Sequence, residues 1–142
     1  MDMNSLQDPY VNDMPTDPEL LSDLGRVAWA AARLHFGVRD AIGRHLGAPT
    51  DAPFKTTLGG AIKQLEGLAK SAGRIDQVEW AADVGWPATR SRNAVIHAIV
   101  ITAEDGRQAL VTQDQSAPGR FLVPELRAVT LDLINASMRL TL

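Results

Sequence analysis

The stretch TDPELLSDLGRVAWAAARL, residues 16–34, decides the fold class. Asp17 is a residue type that caps helix N-termini, Pro18 fits the first helical position, and Glu19 suits the positive end of the helix dipole. Leu20, Leu21, Leu24, Val27, Ala28, Ala31 and Leu34 then recur at helical spacing. Phe36, Val38, Ile42 and Leu46 continue the stripe until Gly47 and Pro49 stop it. Gly37 and Gly43 weaken its second half and allow a bend.

The same signals recur downstream. Thr56 or Thr57 caps a second helix running to about Ala72, with Leu58, Ile62, Leu65 and Leu68 as its stripe and Gly73 as its stop. A shorter third helix begins near Asp76 and includes Val78, Trp80 and Ala81. Gly85-Trp86-Pro87 ends it, and a helix restarts through Thr89, Arg90, Arg92, Asn93 and Val95. The end of that helix is open, because Ala98 to Thr102 is rich in β-branched residues. Asp105-Gly106 predicts a two-residue hairpin turn between Ile99-Val100-Ile101 and Ala109-Leu110-Val111. Pro118-Gly119 predicts a loop, and Pro124-Glu125 opens a last helix whose stripe is Leu126, Val129, Leu133, Ile134 and Met138. The expected fold is therefore all-α: a four- to five-helix bundle with a small late β-hairpin.

At 142 residues the chain has room for one domain, and a hydrophobic share of 45% suffices for one core. Residues 1–15 lack apolar periodicity and read as an acidic flexible arm, leaving 16–142 as a single helical domain. The absence of cysteine excludes disulfides, thiolate zinc sites and thiol catalysis. His35, His45 and His97 are too scattered for a histidine metal signature. No apolar stretch approaches the roughly 20 residues of a membrane span. The N-terminus has no basic-then-apolar secretory pattern, so a cytoplasmic protein without membrane attachment is the expectation.

The net charge of −3 hides an asymmetry. Residues 1–25 carry six acids and no base, so removing that −6 from the total leaves +3 for the remainder. The bases are 11 Arg against 3 Lys. Arginine suits forked phosphate contacts, although a GC-rich genome produces the same excess. The arm is either simply solvated or a cover over a basic site of its own or a partner chain. Any RNA contact must be local.

The segment Arg92-Asn93-Ala94-Val95-Ile96-His97 carries the chemistry. On a helix Asn93 and His97 lie one turn apart on one face. Arg92 is displaced from His97 by about 140° around the axis, and a long Arg reaches round to the same groove. The segment resembles the signature of the HEPN family, an Arg, a polar residue and a His after four to six intervening positions. The resemblance extends over about residues 18–141, including Thr57-Leu58-Gly59 opening the second helix, and is similar to a bacterial branch of that family. Arg39…His45 and Arg90…His97 also satisfy the loose spacing. The 92–97 pair is preferred because Asn follows Arg directly and because it lies late in the chain, before a final helix.

What the resemblance implies is a homodimer in which two Arg–His sets converge on RNA, acting as a toxin or phage-defence effector with an antitoxin or defence-system partner. The implied reaction needs no metal or other cofactor. The RNA 2′-hydroxyl attacks the adjacent phosphorus, leaving a cyclic phosphate and a free 5′-hydroxyl. His97 would move the proton, histidine being the residue type whose ordinary pKa lies nearest neutrality. Arg92 would stabilise charge on the phosphate oxygens. Asn93 would orient His97 or donate to the phosphate, and Arg90 would anchor the RNA backbone. No Tyr follows His97, which disfavours the branch whose Tyr is modified by a partner nucleotidyltransferase.

Other candidates carry blander readings. Leu58-Gly59-Gly60 lacks the ending of a phosphate loop and reads as a helix start. His35 and His45 read as surface or core-edge residues of the first helix. Trp29, Trp80 and Trp86 read as core anchors, with base stacking as the alternative for one of them. Two other functions fit the same residues: a non-catalytic HEPN-like dimeric scaffold or RNA-binding module, and a helical regulator whose partner is a protein.

Overall fold

The computed structural model describes residues 17–48, 55–102, 106, 108–112, 120–121 and 123–142. Helix α1 spans Pro18–Leu46. The Asp17 side chain accepts the Glu19 and Leu20 backbone N–H groups at 3.0 and 3.3 Å. Gly47 closes the helix in the left-handed region (φ 63°) that a side chain would disfavour. Helix α2 spans Leu58–Ala72, capped by Thr57 accepting from Gly60 N–H at 3.1 Å and closed by Gly73. Gly37 and Gly43 cause no interruption of α1; Gly43 is buried within the bundle.

Helices α3 (Ile75–Trp80) and α4 (Trp86–Ile96) are joined by a single wide turn, Ala81–Gly85, of π-helical type. The expected break at Gly85-Trp86-Pro87 is thus absent, and the backbone stays helical from Ile75 to Ile96. Pro87 thus lies inside a continuous helical run, directly after the wide turn, and supplies no N–H to it. The wide turn brings the Trp86 N–H onto the Ala81 carbonyl, five residues back. The Thr89 hydroxyl then donates to the Gly85 carbonyl at 2.8 Å.

The chain continues into β1 (Ile99–Thr102), β2 (Gln108–Val111), β3 (Arg120–Phe121) and α5 (Val123–Arg139). Strands β1 and β2 pair antiparallel with Thr102 opposite Gln108. That register replaces the expected two-residue turn with a five-residue connection, 103–107. Gly106 within it has φ 82°; Asp105 lies outside the described residues. Strand β3, which the sequence did not announce, pairs antiparallel with β2. It is too short for a periodicity signal. The arm at 1–15 and Pro118-Gly119 also lie outside the described residues.

The core forms where α1 packs chiefly on α5 and then on α2. Leu34, Ile62, Leu65, Leu126 and Leu133 are wholly buried, each worth about 1.5–3 kcal/mol. Trp80 is a core anchor as expected, its Nε1–H donating to the Ala136 carbonyl at 2.9 Å. Trp86 is half-buried. Trp29 is 70% exposed, which corrects its reading as a core anchor. Leu21, Ala28, Phe36 and Leu46 of α1 and Ile134 and Met138 of α5 are exposed as well. A helix buries only the strip that faces its neighbours, here Leu20, Val27, Ala30, Leu34, Val38 and Ala41, and the flanking apolar positions stay open.

Gly85 shows how tightly the wide turn is packed. A Cβ there would lie 2.8 Å from the Trp80 ring. Ala in an ordinary helical position gains about 0.5–1 kcal/mol over Gly, whereas overpacking against a pinned ring costs about 1–3 kcal/mol. Gly85→Ala is therefore expected to lower the urea midpoint, and an unchanged or raised midpoint would show that Trp80 yields freely.

Candidate functional site

Helix α4 buries Ala88, Thr89, Ala94 and Val95 against the bundle. That orientation leaves Arg92 and Asn93 half-buried on its flank and Arg90, Ile96 and His97 exposed. His97 caps the helix with φ −92° and ψ 3°, and its backbone N–H donates to the Asn93 carbonyl at 2.9 Å. Beyond it the chain turns into β1.

The Arg92 Nη1 donates to Asn93 Oδ1 at 2.9 Å. Its Nε–H is buried and makes no hydrogen bond among the described residues. Arg92 pairs with no carboxylate there either. Its guanidinium turns toward α1, where a hollow of about 250 Å³ is lined by His35, Leu58, Arg92, Ile96 and small residues of α1 that include Ala28 and Ala32. No acidic residue lines it among the described residues.

His35 was read from sequence as a surface or core-edge residue, and the fold places it opposite the motif. Burial is the main cause that holds its pKa below the ordinary histidine value of 6.5. Its ring N–H donates to the Thr56 backbone carbonyl, which opposes that shift, and the Arg92 and Arg39 cations reinforce it. The sign for stability follows. Below pH 6.5 the unfolded chain takes up a proton that folded His35 resists, so stability falls as the pH is lowered through that value. His35→Gln is expected to flatten this part of the profile, read as urea midpoints between pH 7.5 and pH 5.5. An unchanged slope would place His35 in an ordinary solvated environment.

Of the motif residues, the fold joins Arg92 with Asn93 and, from elsewhere in the chain, with His35. It does not join Arg92 with His97 in one chain: the His97 ring lies outside the hollow, and neither it nor Arg90 has an ionic or side-chain hydrogen-bond partner among the described residues. The competing pair Arg39…His45 is explained structurally. His45 Nε2–H donates to Gln77 Oε1 at 2.6 Å, and Gln77 in turn donates to the Thr141 carbonyl at 2.8 Å, tying the end of α1 to α3 and the C-terminus. No group of three His, Asp or Glu side chains gathers at one point among the described residues. None of their helices is long and apolar enough to cross a membrane.

A larger groove of about 590 Å³ lies between α1 and α5, with Trp29, Arg33, Ile134 and Met138 among its walls. It holds none of the motif residues. Comparison with known proteins finds no matching family model, no matching curated protein and no matching solved structure.

Proposed function

We propose that this chain is a HEPN-type RNA-cleaving protein that acts as a homodimer, with Arg92 and His97 as its catalytic pair, Asn93 in support and Arg90 as an RNA anchor. The observation that carries the reading is the state of Arg92: a half-buried cation held by Asn93, with no carboxylate partner among the described residues, on a helix that ends about one turn later in an exposed histidine. A cation kept that way suits an anionic substrate.

The RNA 2′-hydroxyl attacks the adjacent phosphorus. The O2′–P bond forms, the P–O5′ bond breaks, and the products are a cyclic phosphate and a 5′-hydroxyl. His97 moves a proton in this exchange, and Arg92 stabilises the charge that builds on the non-bridging oxygens. Within one chain only Arg92 of the two lines the hollow, and no hydrogen bond joins it to His97 among the described residues, so the reaction calls for His97 of a second copy beside Arg92. The apolar surface around the motif supports such an encounter. Ile96 is 54% exposed and Phe36 61%, and Ala28 and Ala32 are exposed beside them. A toxin or phage-defence role, in the cytoplasm and under an antitoxin or defence-system partner, belongs to the same proposal.

The lack of a contact between Arg92 and His97 among the described residues favours one other reading, a dimeric RNA-binding scaffold that never assembles both groups. Incubation of purified protein with RNA in EDTA separates the two. Cleavage lost in His97→Ala supports the nuclease; binding without cleavage by wild type supports the scaffold.

A further inference from the structure

We propose that the hollow between α1 and α4 is a single-phosphate subsite for an RNA strand, in which Arg92 grips the anion and His35, from the opposite helix, completes the contact. The proposal rests on Arg92 as the RNA-phosphate ligand and adds a residue that the motif does not contain.

The donor geometry of Arg92 comes first. Asn93 occupies Nη1, which leaves the Nε–Nη2 edge, the side of a guanidinium that binds two oxygens of one anion in parallel. The Nε–H on that edge is buried and has no acceptor among the described residues. A buried charged donor in that state is costly to the protein unless a ligand oxygen completes it. The walls agree: among the described residues the rest of the lining is apolar apart from His35, with no acid to repel an anion.

Size narrows the occupant. About 250 Å³ lies below the ~300–1,000 Å³ of pockets that enclose drug-sized ligands. A phosphate enters; a whole nucleotide stays largely outside, with its sugar and base free to follow the strand.

The charged groups acting on His35 are Arg39 on its own helix and Arg92 on α4, while the Thr56 carbonyl reaches it from the connection before α2. Both cations oppose a proton on the ring. A bound phosphate offsets them and draws a proton from solvent onto His35.

The test uses the intact chain and inorganic phosphate as the probe. Ring resonances of the three histidines are followed by NMR across pH, with and without phosphate. Phosphate is expected to raise the pKa of His35 and to leave that of His45 in place. Arg92→Ala is expected to weaken phosphate binding at least about 10-fold, and Lys70→Ala, a change at an exposed position near the far end of α2, to leave it within about 2-fold. Failure of His35 to respond, or a response carried by His97 alone, overturns the subsite. A second arm adds an uncleavable 2′-O-methyl RNA oligonucleotide. Displacement of phosphate from His35 supports an RNA phosphate as the occupant, and phosphate that the oligonucleotide leaves in place overturns that assignment in favour of a free-phosphate site. Because neither arm reads cleavage, a chain that passes both yet cuts no RNA removes the nuclease reading and retains the subsite.

Discussion

Arg92→Ala and His97→Ala are each expected to reduce RNA cleavage by at least about 10²-fold. Proton transfer by a placed side chain contributes about 10²–10⁴-fold, and a preorganised donor aimed at developing charge about 10²–10³-fold. Neither change should unfold the chain. His97 is exposed and Arg92 is half-buried beside an open hollow, so the helical circular dichroism of both variants should match wild type. The absence of a contact between the two groups within one chain, among the described residues, adds a sharper expectation. Mixed dimers of Arg92→Ala and His97→Ala subunits retain one complete Arg–His set if the site is shared, and cleavage should return on mixing. A His97→Ala protein that cleaves as well as wild type would remove His97 from the site.

The second large effect concerns stability. Asp23 is 1% exposed, deep between α1 and α5. Its Oδ1 accepts from Arg26 Nη1 at 2.7 Å and lies 3.5 Å from Arg127 Nε. Replacing both arginines by Ala strands a buried carboxylate. Stranding a fully buried charge costs about 3–5 kcal/mol. Here the Arg26 and Arg127 side chains are 58% and 62% exposed, so solvent screening reduces the expected loss to about 2–3 kcal/mol. That remains a large share of a typical stability of about 5–15 kcal/mol. Adding Asp23→Leu to the double variant should restore most of the loss, because the stranded charge is then gone. Urea unfolding reads both steps. A loss below about 0.5 kcal/mol in the double variant would show that Asp23 is satisfied without its arginines.

Asp23 also marks a boundary of sequence reading. By composition it belongs to the acidic run at the N-terminus, and its burial depends on where α5 returns. Trp29 errs in the opposite sense: its size suggests a core anchor, yet it falls on the flank of α1 that no described helix covers. The π-helical turn before Pro87 was hidden because Gly-Trp-Pro looks locally like a stop. In the fold the backbone stays helical there, with the Trp80 ring packed close against Gly85. At the site, the neighbouring residues Arg92 and Asn93 and the helix-ending His97 were legible together. His35 was not, because nothing in its own neighbours differs from those of a histidine on any amphipathic helix.

Local sequence chemistry suffices for the helices, for their caps at Asp17 and Thr57, for their stops at Gly47 and Gly73, and for the all-α class, and it places Arg92, Asn93 and His97 together on one helix. These signals act within a turn or two of helix, so local chemistry suffices to produce them. Only long-range packing sets which flank of α1 is covered, that Arg92 lines a hollow against α1, and that His35 lines the same hollow. Those outcomes depend on how distant helices return to pack, and burial, charge and hydrogen bonding act there between residues that the chain order keeps apart.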